Sequence, residues 1–283
     1  MKKNRIWELD FFRGFAILMV TFDHAMYDLG YIFSHWRKSG YSVLASLSAF
    51  GLSYMNGETR FFWRPSFLFL FFCISGVCTA FSHSNLIRGA RLFVVSAIVS
   101  IVTYLVQEYM EFDCFILLGV LHCLALITLA YALFDGAYVL SFKLIEKKKN
   151  VSVALKRWLK AGLLLALAVV FAVINYHNNV KLYDIFGEGK TIAYNNDWRG
   201  LFFYESSWWT SDYFPLFPYI AFFFFGAALA EPLYAKRKSL MPSLDGSWHY
   251  VFSVPGRYSL WIYLGGQLLA LGLFYAINAV FIG

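Results

Sequence analysis

"RIWELDFFRGFAILMVTFDHAMYDLGYIFSH", residues 5–35, decides the class of this protein. The stretch is apolar enough for a membrane helix, yet Arg13, Asp23, His24 and Asp28 interrupt it. Insertion scales put the cost of Arg or Asp at the centre of a membrane helix at roughly 2.5–3.5 kcal/mol each. A span that keeps several such residues points them at a bundle interior or a wet cavity rather than at lipid.

Helical phase shows which of them share a face. At about 100° per residue, Arg13, Ile17, Val20, His24, Asp28, Tyr31 and His35 form one stripe, with Asp10 beside Arg13 one turn earlier. Asp10 and Arg13 stand at the spacing of an ion pair, and Asp28 stands one turn beyond His24, where a carboxylate orients an imidazole. Asp23 points to another face. Eleven residues separate Arg13 from His24, a rise of about 16 Å. The stripe therefore predicts a cation near one membrane face and a base deep within.

Composition extends this reading to the whole chain. Of 283 residues, 60% are hydrophobic, 21% aromatic and only 14% charged, with a mean hydropathy of +0.58. Soluble domains carry about 25% charged residues, so the chain reads as an all-α, polytopic membrane helix bundle forming a single domain over residues 1–283. No small-residue cleavage site follows a short apolar core, which argues against a cleavable signal peptide. Cys73, Cys78, Cys114 and Cys123 have no ligand-like spacing and read as apolar filler, so no metal is expected. The net charge of +7 lies mostly in loops, a topology signal rather than a nucleic-acid patch.

Apolar runs predict about seven transmembrane helices, near 10–33, 62–82, 89–107, 115–135, 157–175, 213–233 and 258–281. Basic residues collect at the N-terminus and in alternate connections: Arg88 and Arg91, Lys147 to Lys149 with Lys156 to Lys160, and Lys236 to Lys238 with Arg257. Glu108, Glu111 and Asp113 occupy the turn between the third and fourth spans. The positive-inside rule then predicts a cytoplasmic N-terminus. Arg37, Lys38 and Arg60, in the first outer loop 34–61, dissent from it. That loop contains "YSVLASLSAFGLSYMNG", a candidate interfacial helix. The second long outer loop, 176–212, is polar and rich in Trp and Tyr, suiting either an interfacial belt or a lid over a sugar site.

The first span also carries a resemblance. "LDFFRGFAILMVTFDH" is similar to the first-helix motif of transmembrane acyltransferases, and most closely resembles the bacterial branch of the heparan-α-glucosaminide N-acetyltransferase catalytic-domain family. Four later stretches resemble that branch in order: "FFCISGVCTAFSHSNLIRGARLF" (71–93), "LGVLHCLAL" (118–126), "DYFPLFPYIAFFFFGAALA" (212–230) and "GRYSLWIYLGGQ" (256–267). The resemblance implies a multi-pass protein of the bacterial plasma membrane. It would move an acetyl group from cytoplasmic acetyl-CoA to an extracytoplasmic carbohydrate or cell-wall acceptor. Polyanionic acetyl-CoA suits Arg13, Arg88 and Arg91, with Asp10 supporting Arg13 and His122 entering the same cavity. His24 is the first candidate for general base or acyl carrier, supported by Asp28; His35 is its rival, or holds the acceptor. Trp198, Asp212 and Gln267 are candidate acceptor contacts. Ser75 and Gly76 read as a site of close helix approach.

One departure stands out. Relatives end the last motif with an Ile-His-Gln-like sequence, whereas Gly265 and Gly266 precede Gln267 here. Altered acceptor use or loss of activity is the expected consequence, and the intact His24 favours the former. The rival reading is a proton-coupled transporter using Asp23, His24 and Asp28 as a relay; the lack of an inverted repeat or paired broken helices counts against it.

Overall fold

A computed structural model describes residues 5–110, 113–146, 151–178, 198–204, 208 and 210–282. Glu111, Lys147 to Lys149 and most of the 176–212 loop lie outside the described residues, and with them part of the charge pattern used above. The described chain is helical: α1 Trp7–Tyr27, α2 Ser42–Met55, α3 Glu58–Val77, α4 Asn85–Met110, α5 Val120–Glu146, α6 Val153–His177, α7 Tyr219–Leu233, α8 Tyr250–Arg257 and α9 Ser259–Phe281. Helices are what an apolar solvent permits, because every backbone polar group is satisfied within its own segment.

Among the described residues five helices are long and apolar enough to cross a bilayer: Glu58–Phe81, Asn85–Tyr109, Val120–Glu146, Val153–His177 and Ser259–Phe281. The other two expected spans differ in kind. α1 is long enough but holds Asp10, Arg13 and Asp23, and α7 has only 15 residues. Span boundaries also move. α3 begins at Glu58, so Arg60 belongs to a helix and not to the first outer loop. α5 begins at Val120 and runs to Glu146, well past the expected end. The helix expected within the first outer loop is α2.

The chain divides into two compact units, Met1–Phe71 with Lys238–Gly283, and Phe72–Arg237. In the first unit α1 crosses α8 at Gly14 and Gly256. A Cβ on Gly14 would lie 1.7 Å from the Phe252 carbonyl oxygen, and one on Gly256 would lie 1.7 Å from that of Asp10. The second unit repeats the device where Gly76 meets α7 at Gly226: a Cβ on Gly76 would lie 2.0 Å from the Phe223 oxygen. Small residues let membrane helices touch backbone to backbone, where dispersion replaces the missing hydrophobic drive. The close approach expected at Gly76 is thus observed.

α1 does not run straight to His35. It ends at Tyr27 and passes into a π-turn, Asp28–Ile32, closed by Phe33 N–H donating to the Asp28 carbonyl at 2.9 Å. A 3-10 turn, Ser34–Lys38, follows. α2 packs on this junction, where Gly30 and Gly51 allow backbone contact. Met26, Leu29, Phe33, Trp36 and Leu44 form the core beneath, with Phe274 and Ile277 of α9 packed against it. Outward faces are apolar: Leu268, Leu269 and Val280 of α9 are 70%, 76% and 76% exposed. Such a surface fits lipid, not water.

Candidate active site

In the first unit the N-terminal end of α1 gathers cations round one carboxylate. Asp10 lies 3.4 Å from Arg5, 3.7 Å from Arg13 and 3.5 Å from Arg257 of α8. Gly256 puts α8 against the Asp10 backbone, and Arg257 follows it directly. Among the described residues three guanidiniums thus stand against this one carboxylate. With the α1 N-terminus they form an anion-attracting end.

Towards the other end of α1, Asp23 is held by the neighbouring helices. Arg60 donates from Nε to Oδ1 at 2.8 Å and from Nη2 to Oδ2 at 3.2 Å, a forked contact, and Tyr54 of α2 donates to Oδ1 at 3.3 Å. Arg64, one turn along α3, lies 3.5 Å from Oδ2. This cluster is structural as placed: it satisfies a buried carboxylate and ties α1 to α2 and α3. It also accounts for Arg60, one of the three cations that dissented from the topology rule.

The expected partnership of His24 with Asp28 is not formed. His24 is half-buried on the last turn of α1. Asp28 is 1% exposed, and neither of its carboxylate oxygens has a hydrogen-bond partner among the described residues. The backbone is not the cause, since Asp28 is itself right-handed helical and its N–H donates to the His24 carbonyl; the two side chains stand one turn apart without a hydrogen bond between them. His35 leaves the stripe because the chain passes through the π-turn and then a 3-10 turn after Asp28. It stands exposed on the 3-10 turn, its Nε2 2.7 Å from Asn278 Oδ1 of α9. Trp36 Nε1 donates to the same oxygen at 2.7 Å.

On α9, Gly266 faces α1. A Cβ there would meet Thr21 Cγ2 at 3.1 Å, one turn before His24, whereas a Cβ on Gly265 would meet nothing within 4 Å. The position where relatives are expected to carry a histidine therefore abuts the polar helix and is left without a side chain. Gln267 is exposed.

In the second unit the remaining candidates are spread out. Arg88 of α4 donates to the Ser75 carbonyl at 3.2 Å, and Arg91 is exposed. His122 is buried and engaged at both ring nitrogens: Gly119 N–H donates to Nδ1 at 3.3 Å, and Nε2 lies 2.9 Å from Ser100 Oγ of α4. Ser100 in turn donates to the Ile116 carbonyl at 2.7 Å. Neutral His122 donating to Ser100 completes the chain, which pins α4 to α5. Asp212 is buried at the start of α5, accepting from Val120 N–H at 3.4 Å, where a carboxylate complements the helix dipole. Trp198 is exposed on a short 3-10 turn.

The same unit holds a polar cavity of about 540 Å³ lined by Thr79, His83, Asp135, Arg157, Lys160 and Glu231 among others. Lys160 of α6 is fixed between Asp135 of α5 at 2.8 Å and Glu231 of α7 at 2.6 Å, an ionic knot joining three helices.

Across both units, the order of motifs and the polar first helix now match a known pattern. Residues 5–268 match the model of the family described as heparan-alpha-glucosaminide N-acetyltransferase, catalytic. The chain belongs to that family. Comparison with curated proteins and with solved structures returned no match. Membership makes this chain a membrane acetyltransferase of the heparan-alpha-glucosaminide N-acetyltransferase catalytic family, which the transporter reading does not fit. Among the described residues no group of three or more His, Cys, Asp or Glu side chains is placed to hold a metal ion.

Several residues round the site of this acetyltransferase are not legible in the sequence as such. Arg257 lies in the motif "GRYSLWIYLGGQ" but reads there only as a topology charge. Arg60 and Arg64 stand one turn apart, a signal that appears once α3 is begun at Glu58. Asn278 carries no signal at all, being an isolated amide in an apolar helix. A Ser–His–Asp line also runs from the loop before α8 into its first turn: Ser253 Oγ is 2.7 Å from His249 Nδ1, and Asp245 Oδ1 is 2.9 Å from Nε2. Ser253 and His249 are buried, and Trp7 stacks on the His249 ring at 4.7 Å. No substrate reaches a nucleophile so placed; the line fastens residues 245–253 to the start of α1.

Proposed function

We propose that the protein transfers an acetyl group from acetyl-CoA, bound at the arginine-rich end of α1, to a hydroxyl or amine of an extracytoplasmic carbohydrate or cell-wall acceptor. The observation that carries this is the arrangement within one segment. Cations gather round Asp10 at its beginning, and imidazoles follow at His24 and His35. The diphosphate and 3′-phosphate of the donor suit the guanidinium forks of Arg5, Arg13 and Arg257. Arg88 and Arg91 add positive charge in the second unit.

The chemistry needs one base. The acceptor heteroatom attacks the thioester carbonyl, an imidazole takes its proton, the carbon–sulfur bond breaks, and the proton passes to the departing thiolate. Two histidines stand on the segment, and the geometry favours His35. It is exposed to an incoming acceptor and has a hydrogen-bonded amide behind it. His24 then lies along the acyl path.

The test is single-residue replacement in detergent-purified protein, following coenzyme A release from acetyl-CoA with and without an acceptor glycan. General-base help is typically worth 10²–10⁴-fold. We expect His35→Ala to lose at least about 10²-fold in transfer, with acetyl-CoA affinity unchanged by calorimetry. A dead His24→Ala beside an active His35→Ala would move the base inward to His24. A wild-type protein that neither binds nor consumes acetyl-CoA would end the acetyltransfer reading itself.

A further inference from the structure

The Trp36–Asn278–His35 arrangement determines a proton position. Indole Nε1 only donates, so the Asn278 atom 2.7 Å from it is the carbonyl oxygen and not the amide nitrogen. That same oxygen lies 2.7 Å from His35 Nε2. A carbonyl oxygen cannot donate, so Nε2 must carry the hydrogen. The neutral ring then presents Nδ1 as its basic lone pair.

We infer that Asn278 is a positioning residue: its side-chain oxygen, held in place by Trp36, fixes His35 in the Nε2–H tautomer and aims Nδ1 at the acceptor. This rests on the acetyltransfer reading above. The logic is that of a base whose far nitrogen is tied to a third group, which sets both tautomer and ring plane.

The support behind Asn278 is what makes it more than a chance contact. Trp36 is 0% and Phe33 1% exposed, in the core that Phe274 and Ile277 of α9 also join. Within one turn of Asn278, α9 is thus packed on the turn that carries His35. That turn is further tied by Arg37, which donates to the Gly30 carbonyl at 2.7 Å and to Ser48 Oγ at 3.1 Å, and by Ser39 Oγ donating to the Trp36 carbonyl at 2.8 Å. A site residue held by a packed supporting shell keeps its productive geometry; one left to itself wanders.

Asn278→Leu and Asn278→Asp test this in the full chain. The leucine removes the acceptor oxygen at similar volume; the aspartate keeps one. Both are assayed for acetyl transfer and for acetyl-CoA affinity, and the His35 tautomer is read by nitrogen-15 NMR with a His35→Ala sample to assign its signals. We expect Asn278→Leu to lower kcat about tenfold or more with little change in acetyl-CoA affinity, and to lose the single Nε2–H signature. Asn278→Asp should recover both. An Asn278→Leu protein with wild-type kcat would overturn the inference, as would lost activity with an unchanged tautomer. Should the leucine variant fail to fold, Asn278→Asp decides alone: wild-type protein without a fixed Nε2–H tautomer, or an aspartate variant that folds and keeps the tautomer but is inactive, also overturns it. Each of these leaves the wild-type acetyl-CoA assay, and so the functional reading, standing.

Discussion

At the residue scale, Asp23 shows how an intramembrane charge is made tolerable. Its two oxygens accept from both forks of Arg60 and from Tyr54, with Arg64 close by. Removing one partner of a buried pair leaves the other uncompensated, which costs more than the pair contributes. Arg60→Gln should therefore destabilise the protein by about 3 kcal/mol, read as a lower unfolding temperature in detergent, and Asp23→Asn in the same chain should restore part of it. An Arg60→Gln protein as stable as wild type would mean that Arg64 alone suffices. At the other cluster, Arg13→Ala should weaken acetyl-CoA binding and Arg13→Lys should recover it only in part, because a point charge does not reproduce a fork. Calorimetric titration distinguishes the three proteins, and equal affinities would remove Arg13 from the donor site.

At the element scale, glycine carries the packing. The α1–α8 crossing has backbone atoms where the Cβ of any other residue would stand, 1.7 Å from the Phe252 carbonyl oxygen at Gly14. Gly14→Val should force the helices apart and cost more than the roughly 1–3 kcal/mol typical of overpacking, because backbone rather than a flexible side chain must yield. Thermal unfolding measures it; a loss below about 1 kcal/mol would show that the crossing is not so tight. The sequence-derived stripe holds through Tyr27 and places Asp10 beside Arg13 as expected. It fails beyond Asp28, because the wider π-turn changes the helical phase and re-aims the residues that follow, His35 among them. That turn sits where Gly30 meets Gly51, a contact between segments well separated in the chain. Periodicity within one helix carries no information about it.

At the scale of the whole molecule, five helices have the length and composition of membrane spans, and the exposed apolar faces of α4 and α9 are suited to lipid. We propose that α1 and α7 also cross, giving seven spans with the N-terminus in the cytoplasm. Two single cysteines in a Cys-free background check the orientation, Ser84→Cys between α3 and α4 and Asp113→Cys between α4 and α5. An impermeant maleimide should label position 113 in intact cells and position 84 only after permeabilisation. The reverse pattern would invert the assignment.

The solvent, the helical class and the family pattern are all legible in the chain, because each is written in local quantities: apolar run length, charge spacing and the order of short motifs. Asp10, Arg13 and His24 are legible too as polar residues of one apolar helix, since charge in an apolar span has to be accounted for. How those residues are used follows from packing in three dimensions. Asp23 belongs to Arg60 and Arg64, His122 to Ser100, Asp212 to the start of α5, and His35 to Asn278. Such pairings depend on which helix faces which and at what height. A polar side chain in an apolar medium takes whatever partner packing brings within about 3 Å, and residues 35 and 278 meet only because the core beneath Trp36 closes on α9.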